Sequence, residues 1–170
     1  HRSAAALIEE ADAAMYQAKE LGRSQAQVFD KPMQDRAVER GNIERELQGA
    51  IERDELVVHY QPTISLRTGE ISKFEALVRW NHPARGLLGP LEFIPIAESS
   101  QLISDLGVWI MREAARQAKE WLDAGEPERE VAVNVSAAQI WNADLVGDVT
   151  RILSETGLPP HLLCLELTES

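Results

Sequence analysis

Phe74-Glu75-Ala76-Leu77-Val78-Arg79-Trp80 decides how this chain is read. Side chains along a β-strand alternate between two faces. Glu75, Leu77 and Arg79 therefore share one face of the run, and Phe74, Ala76, Val78 and Trp80 share the other. Two later runs repeat the division. In Val131-Ala132-Val133-Asn134-Val135 the valines lie together, with Asn134 and Ala132 opposite. In Leu163-Cys164-Leu165-Glu166-Leu167-Thr168 the leucines lie together and Glu166 opposes them. Each strand thus has a branched apolar face suited to packing against helices. Each also places an oxygen-bearing side chain on the other face.

Outward from these strands, the hydrophobic pattern supplies the rest of the architecture. Leu56 to Leu66 predicts a strand whose ladder is interrupted at Pro62, and Arg67-Thr68-Gly69-Glu70 a turn into the strand Ile71 to Trp80. Asn81 to Pro90 predicts a loop, with His82-Pro83 as one of its elements. Residues 91–101 predict a short helix. Residues 103–124 predict a long one, with Leu106, Ile110, Ala114, Ala118 and Leu122 on one stripe. Val131 to Ser136 is the next strand, Asp144 to Thr156 an amphipathic helix ended by Gly157, and Leu162 to Thr168 the last strand. Upstream, residues 4–21 predict a helix ended by Gly22, with Ala6, Leu7, Ala11, Ala14, Met15 and Ala18 on its apolar positions. Val28-Phe29 suggests a short strand, and a second helix is expected from Met33 to Arg53, with Gly41 as a point of division. The later strand–helix–strand units imply parallel pairing and an α/β fold.

In a β/α barrel the face turned away from the helices is the interior, and functional groups gather at the C-terminal strand ends. Arg79, Asn134 and Glu166 all lie close to where their strands stop. Two carboxylates and an amide oxygen are hard donors that suit Mg²⁺, Mn²⁺ or Ca²⁺. Arg79 beside them points to an anionic substrate such as a phosphodiester. A bound metal would then have to reverse the local charge. Each residue also has a plainer reading. Glu75 and Arg79 can form a simple ion pair. Asn134 can cap a turn. Glu166 and Glu169 can cap a following helix, since Thr168 and Ser170 are good N-cap types. The same polarity recurring in three strands is what favours the functional reading.

Composition agrees with a folded domain and narrows its class. The chain has 170 residues, 44% hydrophobic and 26% charged, which is ordinary for a globular protein. The net charge of −11 argues against a passive DNA, RNA or membrane-surface binder, which needs a basic face. Residues 1–90 carry −2 of that charge and residues 91–170 carry −9. Cys164 is the only cysteine, so disulfides and cysteine-based zinc sites are excluded, and its apolar neighbours predict a buried thiol. A cytoplasmic location fits this usage and the lack of any apolar run of about 20 residues. The four tryptophans, Trp80, Trp109, Trp121 and Trp141, are expected mostly in packing positions. His59, His82 and His161 show no metal-ligand spacing, and phosphate-binding glycine loops and a serine elbow are absent.

Glu75-Ala76-Leu77-Val78-Arg79-Trp80 resembles the signature of EAL domains, the bacterial cyclic-di-GMP phosphodiesterases. Tyr60-Gln61-Pro62 resembles that family's first-strand motif. Asn81-His82-Pro83 through Gly86, then Pro90, Phe93-Ile94-Pro95 and Ala97-Glu98, resembles the next segment. Asn134-Val135-Ser136 and Glu166-Leu167-Thr168-Glu169 resemble two more. Gln101 departs from the pattern, in which Gly is usual before Leu102-Ile103. Ala11-Asp12-Ala13-Ala14-Met15-Tyr16-Gln17-Ala18-Lys19, followed by Gly22-Arg23, resembles the C-terminal end of a GGDEF (diguanylate cyclase) domain whose glycine-rich signature is absent. The resemblance implies residues 1–30 as that GGDEF end, residues 31–42 as a linker helix and residues 43–170 as the N-terminal half of an EAL domain.

The fold implied is a partial TIM-like (β/α)8 barrel with an antiparallel first strand, which agrees with the short turn after it. Glu75, Asn134 and Glu166 match metal ligands of the family. Gln61, Leu77 and Arg79 match positions that contact the dinucleotide. Glu169 matches a glutamate that steadies the metal-binding loop, and is counted with Glu75 in the catalytic set. The implied reaction is hydrolysis of one phosphodiester of cyclic-di-GMP to linear pGpG, with two Mg²⁺ or Mn²⁺ ions as cofactors. A barrel takes roughly 250 residues and eight strands. The chain is therefore expected to be cut from a longer protein, and to be inactive without the family's remaining ligands and lysine. Its open strand edges leave a homodimer as a further expectation. The alternative function is a receptor that binds cyclic-di-GMP without cleaving it.

Overall fold

The computed structural model describes residues 3–20, 29–142 and 144–168. The chain divides into two compact units, His1–Glu46 and Leu47–Ser170. No helix among the described residues is long and apolar enough to cross a membrane.

The first unit holds α1 (Ala4–Glu20) and most of α2 (Lys31–Leu47). Leu7 and Met15, expected on the apolar stripe of α1, are both about half exposed. Gly22, Arg23 and Val28 lie outside the described residues, and Phe29 belongs to no strand. Asp30 opens α2 by accepting the Met33 N–H at 2.9 Å, and Pro32 suits the first turn, where no donor is needed. The helix starts two residues before the expected Met33 and passes through Gly41 without a break. It ends at Leu47 rather than Arg53. Hydrogen-bonded turns follow, and Asp54, at φ 54°, redirects the chain into the next strand.

The second unit is built on a mixed five-stranded sheet: β1 (Leu56–Ile64), β2 (Ile71–His82), β3 (Gly86–Leu88), β4 (Glu130–Ser136) and β5 (Leu163–Thr168). The strand order is β1-β2-β4-β5, with β3 paired to β2. β1 runs antiparallel to β2, while β2–β4 and β4–β5 are parallel. The strand runs on through Pro62, which keeps register with Phe74 although it gives the ladder no N–H, and the register shifts just beyond, between Thr63 and Ile64. β1 is an edge strand of this sheet, where a missing donor is tolerated. Gly69 turns β1 into β2 at φ 74°, its N–H donating to the Ser65 carbonyl at 2.8 Å.

The expected loop after Trp80 is partly a hairpin. β3 folds back on the end of β2, with Leu88 in register with Trp80 and Gly86, its first residue, at φ 76° opposite His82. His82 is buried there and accepts the Ala84 N–H on Nδ1 at 3.1 Å. α3 (Pro90–Ser99) starts with a Glu92 carboxylate accepting the Gly89 N–H at 2.8 Å. α4 (Ile103–Asp123) buries Leu106, Ile110, Ala114 and Ala118 as the stripe predicts. α5 (Ala137–Asn142) was not expected, being too short to show a helical period. In α6 (Leu145–Thr156), Asp144 caps the Gly147 N–H at 3.0 Å and Gly157 closes the end at φ 70°.

Trp80, Phe93, Met111, Val131, Val133 and Ile152 form the fully buried centre. Trp80 meets Phe93 edge-on at 5.7 Å and donates its indole N–H to Glu55 Oε2 at 3.0 Å. Trp121 packs on Tyr60 and Phe74, each 4.9 Å away. Trp141 departs from the expectation: it is 85% exposed on α5. The leucine face of β5 departs too. Leu165 and Leu167 are exposed. Cys164 is free and half-buried rather than buried, since it sits on the face that carries Glu166.

Candidate functional site

Strand register places the polar side chains together. Gln61 stands opposite Glu75, Glu75 is level with Ala132, and Asn134 is level with Glu166. Residues paired across neighbouring strands point to the same face. Gln61, Glu75, Leu77, Arg79, Asn134 and Glu166 therefore lie on one face. The buried Ala76, Val78, Val133 and Val135 lie on the other. Glu169 lies outside the described residues.

The contacts on this face bear on the plainer readings of Glu75, Asn134 and Arg79. Asn134 Nδ2 donates to Glu75 Oε1 at 2.8 Å, across strands and 59 positions apart in sequence. Asn134 is thus neither a turn cap nor a backbone partner. Arg79 does not pair with Glu75: its Nη1 donates to the Val78 carbonyl at 2.8 Å, and no carboxylate of the described residues holds it. Glu166 Oε1 takes an ion pair from Lys73 Nζ, and this hydrogen bond raises the ammonium pKa. Gln61 is exposed on β1 and Leu77 is half-buried.

A cleft of about 330 Å³ opens where the strand ends meet α3. Leu77, Asn134 and Thr168 line it from the sheet, and Leu91, Ile94 and Glu98 line it from the helix. Burial pushes the Glu98 carboxyl above its ordinary value. Ser136 Oγ is buried at the cleft and finds no hydrogen-bond partner among the described residues. The adjoining Ser136 N–H is satisfied by Gln139 Oε1 at 3.1 Å.

The donor chemistry fits a hard divalent cation. Glu75 and Glu166 bring carboxylate oxygens to the face, and Asn134 keeps its amide oxygen while donating through nitrogen. No cluster of three His, Cys, Asp or Glu side chains occurs among the described residues. These residues therefore offer part of a coordination sphere, as Mg²⁺ and Mn²⁺ sites completed by water and substrate oxygens do.

Two participants escaped the reading of the sequence. Lys73 lies two residues before Glu75 and so on the same face, a signal that alternation already contained. Gln139 reaches its place from α5 by a contact that no local pattern encodes.

The EAL domain family model matches residues 44–170. A signalling protein of Caulobacter vibrioides is 46% identical over 169 residues, covering 99% of this chain and 20% of that protein. The cyclic di-GMP phosphodiesterase PdeR of Escherichia coli strain K12 is 45% identical, covering 97% of this chain and 25% of PdeR. The chain thus spans a fifth to a quarter of the length of these curated relatives. Among solved structures, the PaMucR phosphodiesterase in complex with c-di-GMP superposes with a TM-score of 0.72 at 43% identity. That match covers 76% of this chain and 52% of the other. With the shared fold, the strand-borne motifs and this family match in agreement, the chain belongs to the EAL domain family.

Proposed function

We propose that residues 43–170 form the N-terminal half of a cyclic-di-GMP phosphodiesterase domain, which hydrolyses one phosphodiester of the substrate to give pGpG. In this reading residues 1–30 are the C-terminal end of a GGDEF domain and residues 31–42 a linker helix. The observation that carries the proposal is the hydrogen bond from Asn134 to Glu75, on a face that also presents Glu166 and Arg79, a guanidinium that no carboxylate of the described residues holds. PdeR and PaMucR, at 45% and 43% identity, support the choice of substrate.

Glu75, Asn134 and Glu166 would hold the divalent metal, Mg²⁺ or Mn²⁺. Its chemistry there is Lewis-acid polarisation of a phosphoryl oxygen and a more acidic bound water. Asn134 orients the Glu75 carboxylate through the nitrogen side of its amide. Arg79 presents a planar fork whose free N–H groups suit two phosphoryl oxygens at once. Gln61, opposite Glu75, offers a donor and an acceptor to the dinucleotide, and Leu77 an apolar contact at the cleft wall. Glu169 is assigned to steadying the metal-binding loop.

Product analysis of the full-length protein with cyclic-di-GMP and Mn²⁺ tests this. The expected result is pGpG from the wild type, and loss of turnover by at least about a hundredfold in Glu75→Gln. Full activity in Glu75→Gln would overturn the ligand assignment. Tight binding of cyclic-di-GMP without product would make the protein a receptor.

A further inference from the structure

Among the described residues, the cation that reaches the candidate ligands is not Arg79 but Lys73. It stands on the same face as Glu75, two residues earlier, and its own register partner on β4 is Glu130. Its ammonium nevertheless crosses the face of β4 to pair with Glu166 on β5. The β4 residue between Glu130 and Asn134 on that face is Ala132, small enough to leave the crossing open. The two partners keep about a third of their side-chain surface exposed, 32% for Lys73 and 36% for Glu166, so neither is locked in place.

Resting on the metal assignment above, we propose that Lys73 is a built-in competitor for Glu166, which weakens divalent-cation binding until the cation displaces its ammonium. A carboxylate oxygen engaged by an ammonium offers less to a metal. A positive charge held within one lysine's reach of the site also opposes a dication by Coulomb repulsion. The pair is partly solvated, so water screens it and the ammonium can swing out into solvent. Lys73 thus sets a threshold of metal concentration for occupancy and contributes no donor of its own, since a charged ammonium has no lone pair to give.

The test is direct Mn²⁺ binding by the full-length protein, read by calorimetry and by the free-Mn²⁺ signal in electron paramagnetic resonance, without turnover. Lys73→Met keeps the stem and removes the charge, and Lys73→Arg keeps the charge. Far-ultraviolet circular dichroism checks that both fold. The expected result is Mn²⁺ binding tighter by roughly tenfold in Lys73→Met and near wild type in Lys73→Arg. Unchanged or weaker binding in Lys73→Met, while Glu75→Gln still abolishes binding, overturns the role of Lys73 alone. Binding that survives Glu75→Gln in every background overturns the metal assignment and this inference with it.

Discussion

Asn134 Nδ2 lies 2.8 Å from Glu75 Oε1, joining a β4 amide to a β2 carboxylate across parallel strands. The geometry divides the labour of the amide. Its nitrogen fixes the carboxylate, and its oxygen stays available to a cation. Asn134→Ala removes both roles at once. Metal affinity and turnover should fall by roughly 10- to 100-fold, as when an orienting partner of a metal ligand is lost. Stability should change little, because Asn134 is only half-buried. Mn²⁺ titration beside a thermal melt checks both halves of that expectation.

Arg79 donates to the carbonyl of its own neighbour Val78 at 2.8 Å and is claimed by no carboxylate among the described residues. A guanidinium in that state keeps most of its donors for a ligand. In Arg79→Lys the charge remains and the planar fork goes. The expected outcome is a KM for cyclic-di-GMP raised roughly tenfold with a smaller change in kcat. A drop in kcat alone, with KM unmoved, would show that Arg79 acts on the transition state rather than on substrate binding.

Gln101 connects α3 to α4 with φ at 65°, in the left-handed region that side chains with a Cβ disfavour. This gives a physical reason for the Gly expected at that position. Gln101→Gly relieves the strain and raises the entropy of the unfolded chain, two effects of opposite sign. The strain dominates, so a gain of about 1 kcal/mol is expected in urea denaturation. Activity should be untouched, because Gln101 lies on the exposed connection between the two helices.

How much of this could be read from the sequence follows from the range of each interaction. Strand alternation is local, so the shared face of Glu75, Leu77 and Arg79 was legible, as were the helix stripe from Leu106 to Ala118 and the Gly157 stop. The bond between Asn134 and Glu75 spans 59 positions, and alternation indicated only that both faced away from the helices. The pairing of Lys73 with Glu166 required the register of three strands together. β3 was hidden in a loop-like run because Gly86 permits the tight reversal that its composition suggested was a simple loop. The exposed leucines of β5 and the exposed Trp141 mark the limit of inferring burial from residue type. Apolar character is local, but cover depends on what packs above.

Gly107 on α4 shows how packing reaches the site. A Cβ at this glycine would lie 1.8 Å from Gln139 Nε2 and 2.7 Å from Cδ. Gln139 is only 3% exposed, so its side chain has little room to withdraw. Its Oε1 also satisfies the N–H of Ser136, two residues beyond Asn134 on β4. Gly107→Ala should therefore displace Gln139, leave the Ser136 N–H unsatisfied and destabilise the second unit by about 1–3 kcal/mol. Gln139→Ala alone should also destabilise it, by removing the same hydrogen bond. The double variant should cost less than the sum of the two, since the clash disappears with the glutamine. Urea denaturation of the four proteins in this cycle measures the coupling. Strictly additive losses would mean that Gly107 and Gln139 do not share the contact argued for them.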